Sequence, residues 1–283
     1  SVIMGLSGSG KSTLIRHINR LIEPTEGEVI IDDIDILGMS IEELREFRRN
    51  KASMVFQKFA LFPHRTVLQN TAYGLTIQKI AEKEAIERSQ HWIERVGLSG
   101  FENHYPAQLS GGMQQRVGLA RALTTDAEIL LMDEAFSALD PLIRTDMQEI
   151  LLDLQAELNK TIVFITHDLD EALRIGDGIT ILRDGEIIQQ GSPQDIVMKP
   201  ADDYIADFIK DVNRSRVLQV RSIMVPTENG NGPKLDQNMP LEDALSQLSG
   251  RGVTEGCVVD GGGKVIGTIA LAAAVEAIRR PER

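Results

Sequence analysis

Over roughly the first 190 residues, short apolar runs alternate with amphipathic helical ones. The runs at 53–57, 128–132, 161–166 and 178–182 are apolar on successive positions and close in polar turn chemistry. That pattern predicts strands covered on both faces, in a largely parallel sheet with helices on either side. A further apolar run at 2–4 predicts a strand at the start of the chain. Ser40 with Glu43, and Thr66 with Gln69, have the spacing of a capping box, and each predicts a helix start. A helical pattern with a charged outer face runs between 81 and 96, and the stretch from about 64 to 115 reads as an all-helical insertion. After Arg216 the pattern changes. Pro226, Gly230, Gly232 and Pro233 mark a loop, followed by a predicted helix at 241–248 and strands at 256–259 and 265–269. The turn 260–263 joins those strands, and a helix at 272–279 follows. The expected organisation is an α/β domain over 1–215 and a small β-α-β-β-α domain over 216–283. The second is too short to be very stable alone, so pairing with a like unit is expected.

Composition narrows the class. Of 283 residues, 42% are hydrophobic, enough to fill a core, so a wholly disordered chain is excluded. The net charge of -12 argues against a nucleic-acid backbone as partner, because neutralising phosphates takes clustered Lys and Arg. A single cysteine, Cys257, excludes a disulfide scaffold and a zinc cluster and fits a reducing cytosol. No apolar run reaches the roughly 18–20 residues that span a bilayer. The longest, 265–278, is shorter and carries Glu276. The chain opens on Ser1 inside a strand and lacks a charged leader, so we expect no signal peptide and expect the natural beginning to be absent.

Three stretches carry chemistry. The run Gly5-Leu-Ser-Gly-Ser-Gly-Lys-Ser-Thr13 fits G-x-x-x-x-G-K-[ST] after a strand. Gly5, Gly8 and Gly10, with Ser7 and Ser9 between them, let backbone amides curl round phosphates. Lys11 can reach the β- and γ-phosphates, Ser12 can ligate Mg²⁺, and Thr13 adds an α-phosphate contact. A dinucleotide fingerprint is excluded because its third glycine would fall on Thr13. An apolar strand then ends in Asp133 and Glu134. Asp133 is a candidate Mg²⁺ carboxylate and Glu134 a candidate base for the attacking water. Leu109-Ser-Gly-Gly-Met-Gln-Gln-Arg116 opens a helix continuing to Leu123, and Ser110, Gly111 and Gly112 present a second helix N-terminus suited to an anion. A single ATP does not need two such sites in one subunit, which points to γ-phosphate held by a second copy. His167 follows the strand at 161–166. His17, His64, His91 and His104 read as helix or loop surface, and Trp92 as packing.

Taken in order, the phosphate loop, Gln57 at a strand end, Leu-Ser-Gly-Gly, Asp133-Glu134, Ser137-Ala-Leu-Asp140 and His167 resemble the ATP-binding-cassette (ABC) ATPases over roughly 1–210. The resemblance implies a P-loop NTPase fold, a mainly parallel sheet with a helical subdomain, and ATP with Mg²⁺. It also implies that Gln57 senses Mg²⁺ or the γ-phosphate, that Asp140 belongs to a loop across a dimer interface, and that His167 meets the γ-phosphate. The residue that stacks on adenine in the family lies upstream of the phosphate loop. Met113 stands where glutamine is commoner. Segments at 4–13, 55–64, 109–121 and 133–142 resemble ATPases of importers for glycine betaine, proline and similar osmoprotectants. That implies two ATP-sandwiched copies, two integral-membrane permease subunits, indirectly a solute-binding protein, and a place on the cytoplasmic face of the inner membrane. The tail resembles one cystathionine-β-synthase (CBS) module. Ala270 and Ala273 stand where nucleotide-binding modules offer a hydroxyl and an acid, so dimer contact or ionic-strength sensing is expected instead. An importer for an amino acid, choline or another quaternary amine is the alternative. A soluble ABC ATPase for DNA or ribosomes would show coiled-coil insertions or basic arms, and a non-hydrolysing regulator would lack Glu134.

Overall fold

β1 (Val2–Met4) is buried at all three residues. In the computed structural model, which describes residues 1–137, 139–158 and 160–279 (156 and 158 by backbone only), it lies inside a six-stranded sheet. The loop 5–10 leads into α1 (Lys11–Ile18). A hairpin comes next, β2 (Ile30–Ile31) and β3 (Ile34–Asp35), whose turn residues Asp32 and Asp33 take φ +51° and +63°. α2 (Ile41–Asn50) begins at the expected capping box: Ser40 Oγ accepts from the Glu43 amide, and Glu43 accepts from the Ser40 amide at 2.8 Å. β4 (Ala52–Val55) closes this part.

The next segment is helical: α3 (Val67–Thr71), α4 (Tyr73–Ile77), α5 (Glu82–Arg95) and α6 (Gly111–Thr124). Thr66 and Gln69 form the second capping box. Buried Asn70 binds Phe62, Arg65 and Thr66 backbone groups, which fixes the turn before α3. The chain then alternates β5 (Ile129–Asp133), α7 (Pro141–Leu158), β6 (Thr161–Thr166), α8 (Leu169–Ile175), β7 (Ile179–Arg183) and β8 (Glu186–Gly191).

The sheet order is β4-β5-β6-β1-β7-β8. The pairs β4/β5, β5/β6 and β1/β6 are parallel, as the apolar runs require. Ile3, Leu131, Ile165 and Leu182 of the central strands pack with Ile15 of α1 into one core cluster. In the strand register, Met4 lies opposite Thr166 and Asp133 opposite Ile165. The residues just past these strand ends, Gly5, Glu134 and His167, therefore emerge along one carboxyl edge of the sheet, where open α/β sheets hold ligands. The predicted strand at 53–57 stops at Val55, so Gln57 sits in the turn beyond it.

The described residues form two compact units, 1–171 with 181–187, and 172–180 with 188–279. In the second, α9 (Pro193–Met198) and α10 (Asp203–Ile209) start on Ser192 and Asp202 caps, and α11 (Arg214–Val217) comes after them. Then come β9 (Val225–Pro226), β10 (Lys234–Asp236), α12 (Leu241–Gly250), β11 (Glu255–Val259), β12 (Val265–Ala270) and α13 (Leu271–Ile278). Their sheet runs β10-β11-β12-β9. The turn between β11 and β12 is set by Asp260, whose carboxylate accepts from the Gly262 and Lys264 amides. Leu235, Leu241, Leu248, Val258, Ile269 and Ala274 fill its core.

Candidate functional site

The loop 5–10 is shaped by close approach. A Cβ on Gly5 would stand 2.3 Å from the Leu182 carbonyl oxygen and 2.7 Å from Ser9 Oγ, so only glycine fits. Gly10 caps α1 at φ +96° with no side-chain bond, which leaves the first amides of the helix free to face an anion. Ser7 and Gly8 are exposed, while Ser9 is buried and its Oγ has no hydrogen-bond partner among the described residues. Thr13 is exposed on the first turn of α1. The Lys11 ammonium, 4% exposed, donates to Gly5 O at 2.9 Å and Leu6 O at 3.0 Å. Burial pulls it below the usual lysine range, and the nearby Glu134 and Asp133 carboxylates oppose that shift.

Asp133 ends β5 and is 2% exposed. Ser12 Oγ donates to its Oδ1 at 2.7 Å and Arg16 to its Oδ2 at 2.9 Å. At Glu134 the chain turns out of the strand through φ +44°, which sends its carboxylate elsewhere. Gln57 Nε2 donates to Glu134 Oε2 at 2.9 Å, His167 Nδ1 lies 3.6 Å from that oxygen, and Lys11 Nζ lies 3.8 Å from Oε1. One carboxylate thus meets residues that come after three different strands.

Ser110, Gly111 and Gly112 are not brought into this group. Ser110 caps α6, accepting from the Met113 amide at 3.3 Å, and the two glycines face Phe59 and Ile143. Asp140 accepts from the Ile143 amide at the start of α7. Ser137 Oγ donates to the Glu134 carbonyl, and Ala138 lies outside the described residues.

A family profile described as ABC transporter matches residues 1–137. The chain is 56% identical over 271 residues to the glycine betaine transport ATP-binding protein OpuAA of Bacillus subtilis, covering 95% of this chain and 63% of that one. It is 52% identical to the glycine betaine/proline betaine transport system ATP-binding protein ProV of Escherichia coli, covering 95% of this chain and 67% of that one. Among solved structures, the dimeric post-hydrolysis state of the ATP-binding cassette MJ0796 with ADP and Pi is 40% identical, with a TM-score of 0.63, covering 68% of this chain and 84% of that one. The chain belongs to the ABC transporter ATP-binding family. It spans a little under two thirds of the OpuAA length.

For an ABC cassette, the donor set suits a magnesium nucleotide. Mg²⁺ takes hard oxygen ligands and is held through one or two protein groups plus substrate phosphates. Ser12 and Asp133 offer a hydroxyl and a carboxylate side by side, and among the described residues no group of three acids, His or Cys could hold a metal without a substrate. The sequence pattern did not reveal three residues around this ABC site. Arg16 pins Asp133, and its position four residues after Ser12, on the same face of α1, was a signal that could have found it. Glu171 is buried and accepts from Gln148 at 3.1 Å; burial pushes its carboxyl up. Arg121 reaches the backbone at 59–60, and no local pattern announces that contact. No helix among the described residues is long and apolar enough to cross a membrane.

Proposed function

We propose that the chain binds and hydrolyses ATP with Mg²⁺ as the ATP-binding subunit of an importer for glycine betaine, proline betaine or related solutes. The observation that carries the hydrolytic part is the Glu134 carboxylate, in reach of Gln57, Lys11 and His167 beside the glycine loop. The substrate class rests on the identity to the two betaine transport proteins.

In this reading, amides of the loop from Gly5 to Thr13, with Ser7, Gly8, Ser9 and Gly10, cradle the phosphates. The Lys11 ammonium leaves the Gly5 and Leu6 carbonyls for the β- and γ-phosphates. Ser12, Asp133 and Gln57 would hold Mg²⁺, which would supply positive charge to offset that of the phosphates. Glu134 orients the water and takes its proton, and His167 donates toward the γ-phosphate. Phosphoryl transfer asks the protein mainly for such positioning and electrostatics. Ser110, Gly111, Gly112 and Asp140 would serve the nucleotide of a second copy, which fits their place away from Glu134. The solved MJ0796 cassette is itself dimeric. Residues 216–283 act as a CBS-like regulatory module, and permease subunits hold the pair on the cytoplasmic face of the membrane.

The test is ATP hydrolysis by the full-length subunit with its permease partners in liposomes, with and without glycine betaine or proline at rising internal salt. Stimulation by solute and by salt is expected. Turnover insensitive to both would remove the substrate class and the regulatory tail. A second measurement concerns Arg16. Groups that orient a metal-binding carboxylate typically matter about 10-fold or more in metal affinity. Arg16→Ala is therefore expected to raise the half-saturating Mg²⁺ concentration about tenfold, with near-normal turnover at saturating Mg²⁺. An unchanged Mg²⁺ titration would make the ion pair incidental.

A further inference from the structure

Just beyond Gln57, two consecutive residues, neither of them glycine, hold left-handed backbone: Phe59 at φ +54° and Ala60 at φ +49°. Residues with side chains adopt this conformation rarely and keep it where surrounding structure imposes it. The Ala60 amide turns back onto the Lys58 carbonyl, so the chain doubles over within three residues. The Phe59 amide donates to the Phe56 carbonyl at 3.2 Å, and one guanidinium from α6 ties the turn's own carbonyls down. Arg121 donates through Nη1 to Ala60 O at 2.7 Å and through Nη2 to Phe59 O at 3.1 Å. Among the described residues Arg121 has no carboxylate partner, and burial works against its charge. A half-buried charge with no carboxylate partner among the described residues, spent on two loop carbonyls, calls for a reason beyond helix stability.

The turn lies against the Gly111–Gly118 face of the same helix, at ordinary contact distance. Phe59 Cζ lies 3.8 Å from where a Cβ on Gly111 would stand, and Phe59 O lies 3.6 Å from that position on Gly118. The first turn of α6 is the one capped by Ser110. Gln57, whose amide meets Glu134, is two residues from Phe59, and two residues span at most about 7 Å. A shift of the turn by a few ångströms cannot be absorbed before it reaches Gln57.

We propose that Arg121 is a positioning residue: by clamping the 58–60 turn to α6 it makes the Gln57–Glu134 contact depend on where the Ser110–Gly112 end of that helix stands. The clamp's effect on hydrolysis rests on the ATPase reading above; the clamp itself does not. The test uses the full chain carrying Arg121→Gln, Arg121→Lys, Gln57→Ala and the double variant Gln57→Ala with Arg121→Gln. A misplaced site group can cost up to about 100-fold, so for an indirect one kcat is expected to fall about tenfold in Arg121→Gln, with KM for ATP within about twofold. Lysine, a point charge without a planar fork, should give an intermediate loss. In the Gln57→Ala background the Arg121 change should cost less than about a further twofold, since it acts through Gln57. Tryptic cleavage after exposed Lys58 should be faster in Arg121→Gln by about fivefold or more, reporting the freed turn without any turnover. Losses that multiply in full in the double variant, or cleavage after Lys58 at the wild-type rate, would overturn the proposal. If Arg121→Gln does not fold, the same two comparisons with Arg121→Lys decide. Absence of hydrolysis in the wild-type chain would instead sink the ATPase reading, and the cleavage comparison alone would then decide the clamp.

Discussion

Glu134→Gln is expected to cut ATP hydrolysis about 1000-fold while ATP binding stays within about threefold of wild type. The change keeps side-chain size and the backbone turn at φ +44°, so the strand end should hold its shape. What it removes is the acceptor. Lys11, Gln57 and His167 all approach this carboxylate, and the amide that replaces it has one acceptor oxygen instead of two. It also cannot take a proton from water. General-base catalysis is worth roughly 100- to 10,000-fold, and 1000-fold corresponds to about 4 kcal/mol of barrier. In the proposed reading nucleotide affinity should survive because the phosphates meet the backbone amides of the loop and of the α1 terminus, which the substitution leaves in place. Nucleotide titration alongside steady-state and single-turnover hydrolysis separates the two quantities. Turnover near the wild-type rate would take the base away from Glu134. With binding intact and hydrolysis blocked, the two-copy state should persist with ATP and be visible by size-exclusion chromatography.

The residues that such a variant isolates were legible in the sequence because each sits just past an apolar strand. Asp133 and Glu134 close β5, His167 comes after β6 and Gly5 after β1, so the run of apolar residues marks where each emerges. The capping boxes at Ser40 and Thr66 were equally plain, since every group involved lies within three residues. What pattern alone could not supply was the pairing across the fold. The Gln57–Glu134 hydrogen bond joins residues 77 apart, Arg16–Asp133 joins residues 117 apart, and Arg121 reaches 62 residues back to Phe59. No periodicity carries that information; it is set by sheet order and strand register. The hairpin of β2 and β3 escaped because two residues per strand are too few for an alternation to register. β8 escaped because Glu186, Gln189 and Gln190 make it read as a polar turn.

Lys11→Ala should weaken ATP binding about 100-fold and reduce turnover with it, unlike the base variant, which separates the two. A hydrogen bond to a charged partner contributes about 1.5–3 kcal/mol, and the upper part of that range is about 100-fold in affinity. The ammonium is buried and, among the described residues, is held by the Gly5 and Leu6 carbonyls and the more distant Glu134, so it is available to incoming phosphates. Its loss also leaves the Glu134 and Asp133 charges facing those phosphates without a nearby amine. The free protein should tolerate the change. Burying the ammonium is itself unfavourable, which is why its affinity for a proton is lowered, and removing it offsets the lost bonds to the Gly5 carbonyl and to the Leu6 carbonyl, which keeps the Ser9 amide as a donor at 3.2 Å. Thermal unfolding of the free chain should therefore shift by less than about 4 °C. A large drop in melting temperature would mean that Lys11 holds the loop together rather than meeting the nucleotide. The pH dependence provides an independent check. ATP selects the protonated amine, so wild-type affinity should fall as pH rises through the free-state pKa, which lies below the ordinary lysine value of 10.5. In Lys11→Ala that fall should vanish, because the group that titrates is gone.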